Sequence, residues 1–187
     1  MKNILIIGSA RAGKTTLCNL LRERLTYQII SLDRYINTLE LAYPSLGIHH
    51  IADEINVSRK FAPFLINYLK EYSTGFESAK GYAIEGTHID MDLVMPNIDK
   101  EEYIIIGLTY DNLTGEDFYN NLKTYDTKKD CTFHCEDCAL KSHAEHFVER
   151  NQYFSEMFKK YNIKTFNTAF DRTKTFEDII NYITANN

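Results

Sequence analysis

Short runs enriched in apolar residues recur five times along the chain and predict β-strands. The clearest run is K-N-I-L-I-I at residues 2–7, whose continuous apolar character is typical of a parallel strand that is buried on both faces. Four further runs of similar length follow it along the sequence. The predicted strands are residues 3–7, 27–31, 81–85, 103–108 and 163–167.

Helical patterns separate most of these predicted strands. The segment 16–25 places four leucines on one helical face, and helices are also predicted over 57–73, 145–161 and 175–184. Pro63 lies inside the second of these helices and is expected to kink it. Alternating strands and helices predict an α/β fold, a five-stranded parallel sheet with helices on both faces. No linker composition divides the chain, so residues 1–187 are predicted to form a single domain.

The stretch 111–141 departs from this alternation. It is polar, rich in Asp, Asn, Lys and Cys, and its apolar residues are scattered. We therefore expect a mobile, lid-like excursion between the fourth and fifth strands. Ligands of parallel α/β sheets bind outside the carboxyl ends of the strands, and a lid at this position is expected to cover that site.

The junction of the first strand and the first helix matches the phosphate-binding loop. Residues 8–15 read G-S-A-R-A-G-K-T and fit the pattern G-x-x-x-x-G-K-[ST]. Backbone N–H groups of such a loop surround a phosphate chain, and the positive end of the helix points at the same anion. Lys14 is expected to contact the β- and γ-phosphates, and the Thr15 hydroxyl to ligate Mg²⁺. The predicted nucleotide-binding residues are Gly8, Ser9, Ala10, Arg11, Ala12, Gly13, Lys14, Thr15 and Thr16.

Two carboxylates follow the second and third predicted strands, where they are expected to lie near the loop. Asp33 could accept a proton from a substrate hydroxyl or hold a metal-bound water. The alternative is that Asp33 caps the helix that begins there, and the two roles can coexist. Glu85, in the sequence I-E-G-T-H, could hold Mg²⁺ opposite Thr15. The alternative for Glu85 is a solvated residue at the end of a strand.

The phosphate loop, Asp33 and the pair Glu85-Gly86 together resemble the P-loop small-molecule kinases, the adenylate kinase- and uridine kinase-like nucleoside and nucleotide kinases. The resemblance implies a P-loop NTPase fold, ATP and Mg²⁺ as cofactors, and phosphoryl transfer to a hydroxyl or phosphate of a small metabolite, nucleoside or nucleotide. It also implies that Asp33 acts as base or substrate anchor and that Glu85 serves the metal.

The chain departs from these kinases in its arginines. Such kinases usually carry a lid arginine that neutralises the transferred phosphoryl group, whereas here no arginine lies between Arg59 and Arg150. Arg150 is therefore the candidate for this catalytic role. Its alternative is a solvated helix charge beside Glu149.

A cysteine- and histidine-rich cluster in the excursion raises a second function. Cys135 and Cys138 have the spacing of a zinc knuckle, and Cys131 with His143 would complete a tetrahedral site. Free thiols with exposed histidines, or a redox pair at Cys135 and Cys138, are the alternatives. A zinc- or redox-responsive cluster would suit a nucleotide-binding regulator or sensor rather than a kinase.

The overall composition limits the partners. The net charge of −5 makes double-stranded nucleic acid a poor partner. The sequence has no leader pattern and no long apolar run, so we expect no membrane insertion and a cytoplasmic location, where the four cysteines would remain reduced. The expected partners are a nucleoside triphosphate and a small-molecule acceptor. No motif indicates the acceptor or the oligomeric state.

Overall fold

The chain forms a five-stranded, all-parallel sheet with the strand order β2-β3-β1-β4-β5. The structure is a computed structural model that describes residues 1–49, 54–74, 81–128, 130 and 132–187. Every predicted strand is present, with its ends within one residue of the prediction. The strands are β1 (Asn3–Gly8), β2 (Gln28–Ser31), β3 (Tyr82–Gly86), β4 (Tyr103–Thr109) and β5 (Lys164–Asn167).

Helices connect the strands and generally begin earlier than the apolar periodicity suggests. The second long helix continues through Pro63 as one element. No helix of the described segments combines the length and the apolar character that crossing a bilayer requires. The helices are α1 (Lys14–Leu25), α2 (Leu32–Ala42), α3 (Glu54–Thr74), α4 (Met91–Val94), α5 (Gly115–Tyr125), α6 (Asp137–Tyr161) and α7 (Arg172–Asn186).

The central strand β1 has every residue buried and separates two apolar cores. Ile4 and Ile6 face a core built with α1, α5 and α7, whereas Leu5 and Ile7 face a core built with α2 and α3. Successive side chains of a strand point to opposite faces, so a continuous apolar run serves both layers. Burial on both faces is consistent with the position of β1 in the middle of the sheet. The loop that follows β1 therefore lies at the centre of the carboxyl edge of the sheet.

The structure does not confirm the expected lid-like excursion over 111–141. The described part of this stretch is mostly helical: it contains α5 and the first turn of α6, which packs against α5. Phe118 and Leu122 of α5 and Leu140 of α6 are buried in the core shared with α1. The few apolar residues of the segment have helical spacing, so a largely polar sequence still buries one face.

Candidate active site

Two residues of the loop between β1 and α1 have the left-handed backbone conformation that recurs in anion-binding turns. Gly13, with φ of 90°, and Arg11, with φ of 64°, lie in the left-handed region, which at Gly13 carries no steric cost. Gly13 also precedes α1 as its N-cap without a side-chain capping bond. The first N–H groups of a helix have no intrahelical acceptor, so those of α1 are available to a ligand.

Lys14 is buried in this loop, with its ammonium group fully engaged. Its Nζ donates to the carbonyl oxygens of Gly8 at 3.0 Å and Ser9 at 2.9 Å, and to Thr87 Oγ1 at 3.0 Å. Thr87 directly follows β3 and was not among the predicted site residues. Because an ammonium group has three protons, these three acceptors fix its position between the ends of β1 and β3.

Glu85 lies at the carboxyl end of β3 with only 4% of its surface exposed. The alternative of a solvated residue at a strand end is therefore wrong. Burial raises the pKa of the Glu85 carboxyl, and nearby Asp33 adds to the rise, while Lys14 and a hydrogen bond donated by Ser31 act in the opposite direction. Thr15 is exposed in the first turn of α1. Hydroxyl and carboxylate oxygens are the donors that Mg²⁺ prefers.

Asp33 stands in the first turn of α2, beside β2. The N-cap of this helix is Ser31, so the capping alternative for Asp33 is wrong. Half of the Asp33 side chain is exposed, and its Oδ1 lies 3.4 Å from Nδ1 of the mostly buried His88. His88 was not predicted either. It follows β3 in the same G-T-H sequence as Thr87, a position where polar residues reach the carboxyl edge of the sheet.

Arg150 is buried on α6, which contradicts its alternative as a solvated surface charge. Its Nε lies 2.8 Å from Oε2 of Glu54, the first residue of α3. The guanidinium carbon lies 4.6 Å from the ring centre of Tyr153 and 5.0 Å from that of Phe154. A carboxylate and two aromatic faces therefore orient the planar guanidinium. Glu54 was missed because it follows no predicted strand.

Arg11 connects the phosphate loop to the segment that joins α5 and α6. Its guanidinium forms ion pairs with Asp126 and Asp130. A cavity of about 540 Å³ opens beside Arg11. It is bounded by Tyr125 at the end of α5, by Phe170 in the loop between β5 and α7, and by Arg172 at the start of α7. The cavity thus adjoins the phosphate loop on the side away from Asp33.

The structure gives no support to the predicted zinc site. Among the described residues, no three His, Cys, Asp or Glu side chains are grouped as metal ligands. Cys135 and Cys138 form no disulfide bond within the described residues, the His143 ring stacks on Phe147 at 6.0 Å, and Cys131 lies outside the described residues. The sensor alternative that depended on this cluster is likewise unsupported.

Comparison with solved structures shows that kinases share this fold. Shikimate kinase from Acinetobacter baumannii, in complex with shikimate, is 20% identical with a TM-score of 0.58, over 100% of this chain and 94% of that chain. Shikimate kinase from Bacteroides thetaiotaomicron is 17% identical with a TM-score of 0.57, covering 98% and 97%. Deoxyadenosine kinase from M. mycoides, with bound dATP, is 15% identical with a TM-score of 0.51, covering 97% and 99%.

These likenesses extend over nearly the whole chain and confirm the predicted P-loop NTPase fold. At such low identity they show the fold alone. No protein-family model and no curated protein sequence matches the chain.

Proposed function

We propose that this protein is an ATP- and Mg²⁺-dependent kinase that transfers the γ-phosphoryl group to a hydroxyl or phosphate of a small metabolite, nucleoside or nucleotide. The observation that carries the proposal is the arrangement of Asp33 and Glu85 at the ends of adjacent strands. Asp33 is half exposed, and Glu85 is buried close to both Asp33 and Lys14 of the phosphate loop. A nucleotide switch needs the loop, but it has no use for an exposed carboxylate on the acceptor side.

The phosphate loop and Glu85 hold the donor in this proposal. The N–H groups of residues 10–16 surround the phosphates, and Lys14 exchanges part of its loop contacts for phosphate oxygens. Thr15 and Glu85 hold Mg²⁺, which when bound neutralises charge on the phosphates. The buried position of Glu85 supports this role, because such a carboxylate gains most from a nearby cation.

Asp33 orients the acceptor hydroxyl or takes its proton. Its exposure allows an acceptor to reach the carboxylate, and the His88 ring lies 3.4 Å from one of its oxygens on the protein side. A carboxylate within hydrogen-bond reach of the acceptor can take the proton as the bond to phosphorus forms. Asp33 therefore binds the acceptor and defines the direction of attack.

Arg150 neutralises the charge that develops on the transferred group. Its guanidinium is planar and oriented by Glu54 and two aromatic rings, so it is organised before the substrates arrive.

The cavity between Arg11 and the loop after β5 is proposed to accept the nucleoside part of ATP. Pockets of roughly 300–1,000 Å³ are the usual size for such ligands.

Activity measurements with matched aspartate variants test this function. ADP formation is measured with ATP, Mg²⁺ and a panel of nucleosides, nucleotides and hydroxylated acids. At least one acceptor should accelerate it, and Asp33→Asn should lower kcat by about 10²- to 10⁴-fold while ATP still binds. Asp178→Asn is the control, because its side chain has a similar exposure of 51% and lies on α7.

Two outcomes would contradict the kinase. One is a full panel in which no acceptor raises the rate of ADP formation above that with ATP alone. The other is an Asp33→Asn variant with the kcat of the wild type on an acceptor that works.

A further inference from the structure

Side chains from three other parts of the fold form hydrogen bonds with the backbone carbonyl oxygens of the phosphate loop. Tyr110, directly after β4, places its hydroxyl 3.2 Å from the Ala10 carbonyl oxygen, which shares the hydroxyl proton with the Phe147 carbonyl oxygen. Thr168, directly after β5, donates Oγ1 to the Ala12 carbonyl oxygen at 3.0 Å. Arg172 of α7 donates Nη2 to the carbonyl oxygen of Arg11 at 3.0 Å. Together with the two bonds from the Lys14 ammonium, these contacts give each of the five carbonyls from residue 8 to residue 12 a side-chain donor.

These bonds determine where the N–H groups of the loop point. In a planar trans peptide, the C=O of one residue and the N–H of the next are directed oppositely. A carbonyl that is held toward the protein therefore turns the following N–H away from it. Tyr110 sets the N–H of Arg11 in this way, and Thr168 sets the N–H of Gly13. The intervening N–H, that of Ala12, closes a turn to the carbonyl of Ser9 at 3.3 Å.

Tyr110 is the most connected of these donors. It is 1% exposed, and its single hydroxyl proton is shared between the Phe147 carbonyl oxygen of α6 at 2.7 Å and the Ala10 carbonyl oxygen at 3.2 Å. Ser9 Oγ lies 2.9 Å from the same hydroxyl. Its ring stacks on Phe118 with centres 4.5 Å apart, which fixes the direction of the hydroxyl. Burial raises the pKa of Tyr110 far above its usual range, so the hydroxyl retains its proton.

Hydrogen bonds also fix the position of Thr168. It is fully buried, and its single hydroxyl proton is shared between the Ala12 and the Thr109 carbonyl oxygens, each 3.0 Å from Oγ1. Its own N–H donates to the Thr109 carbonyl at 2.7 Å. The side chain therefore joins the ends of β4 and β5 to the loop.

We infer that Tyr110 and Thr168 are positioning residues for triphosphate binding, which hold the loop in its anion-binding conformation before the nucleotide arrives. A loop ordered in advance loses less conformational freedom when the ligand binds. The inference rests on the proposed nucleotide site and adds to it two residues that act only through the backbone of the loop.

Binding measurements on conservative variants test this role. Affinities for ATP with Mg²⁺ and for inorganic tripolyphosphate are measured by calorimetry for Tyr110→Phe and Thr168→Val. Each variant should bind both probes roughly 3- to 10-fold more weakly, the effect of one hydrogen bond. The ³¹P resonances of bound ATP should also move, because the loop donors are displaced.

Two control variants separate positioning from general loss of stability. Tyr27→Phe removes another hydroxyl from a tyrosine that is 1% exposed, one that donates to the Lys2 carbonyl at 3.1 Å, away from the loop. It should bind both probes as the wild type does, with unchanged ³¹P resonances. Thr168→Ser retains the hydroxyl and should restore the affinity lost in Thr168→Val.

The outcomes distinguish this inference from the proposed function. Wild-type affinity and unshifted resonances in Tyr110→Phe and Thr168→Val overturn the positioning role alone. Equal losses in Tyr27→Phe also overturn it, because general destabilisation then explains the effect. Wild-type protein that binds neither ATP nor tripolyphosphate overturns the proposed function together with this inference.

Discussion

The charge of Glu85 is expected to destabilise the fold at neutral pH, and Glu85→Gln should therefore raise stability. The side chain is 4% exposed, and glutamine preserves its shape and its hydrogen bond with Ser31 while removing the charge. Leaving a buried polar group uncompensated costs about 1–3 kcal/mol, and Lys14 and Ser31 offset part of that cost. We expect the free energy of unfolding to rise by about 1 kcal/mol, which for a protein of this size corresponds to roughly 2–4 °C in Tm.

The stability gained by Glu85→Gln should increase as the pH rises. The pKa of Glu85 in the folded protein is raised above its ordinary value of 4.5, so the folded state binds this proton more tightly than the unfolded chain does. That contribution to stability is complete below pH 4.5 and is lost as the pH rises through the folded pKa. The advantage of Glu85→Gln over the wild type should thus be largest at pH 8 and shrink toward pH 4.5.

Thermal unfolding followed by circular dichroism between pH 4.5 and 8 checks this prediction. Glu177→Gln is the control, because the Glu177 side chain is 46% exposed and its ion pair with Arg24 is at the surface, where such pairs contribute little. A Glu85→Gln variant with an unchanged or lower Tm at pH 8 would refute the buried-charge reasoning. Under the proposed function, the same variant should also lose the increase in ATP affinity that Mg²⁺ provides.

Two further predictions concern packing and the buried ion pair. A Cβ at Gly107 would lie 2.6 Å from the Phe158 ring, so Gly107→Ala should lower stability by about 1–3 kcal/mol in urea unfolding. Phe158→Leu in the same chain should recover part of that loss, and no recovery would contradict the clash. Glu54→Gln leaves Arg150 buried without its carboxylate and should cost about 3 kcal/mol. An unchanged urea midpoint would contradict this, and Glu40→Gln serves as the control.

The sequence by itself determined the strands, their parallel arrangement and the phosphate loop. These features depend on residues that are close in the chain: a continuous apolar run, two glycines at fixed spacing, and a helix that follows at once. Asp33 and Glu85 could be placed near the loop for a related reason. The ends of parallel strands meet at one edge of the sheet, so a residue after a strand has a predictable location.

The lid-like excursion predicted over 111–141 is not confirmed, because the polar average composition of this stretch hides a helical pattern. The stretch 111–141 is polar on average and was expected to be a lid, yet its buried residues Phe118 and Leu122 are four residues apart. Leu140 has the same spacing to Ala144, just beyond the stretch. Thr114 and Asp117 also form a capping box at the start of α5. Both signals were present in the sequence, but the polar residues between them outnumber the apolar ones.

Only the tertiary structure decided which distant side chains complete the site. Glu54 faces Arg150, Thr87 meets Lys14, and Tyr110 and Thr168 reach the carbonyls behind the loop. Local periodicity predicts which face of an element is buried. It does not predict which residue on another element contacts a given polar group. Whether a hydrogen bond or an ion pair forms depends on differences of a few tenths of an ångström between donor and acceptor positions. Those positions are set only when the chain has folded.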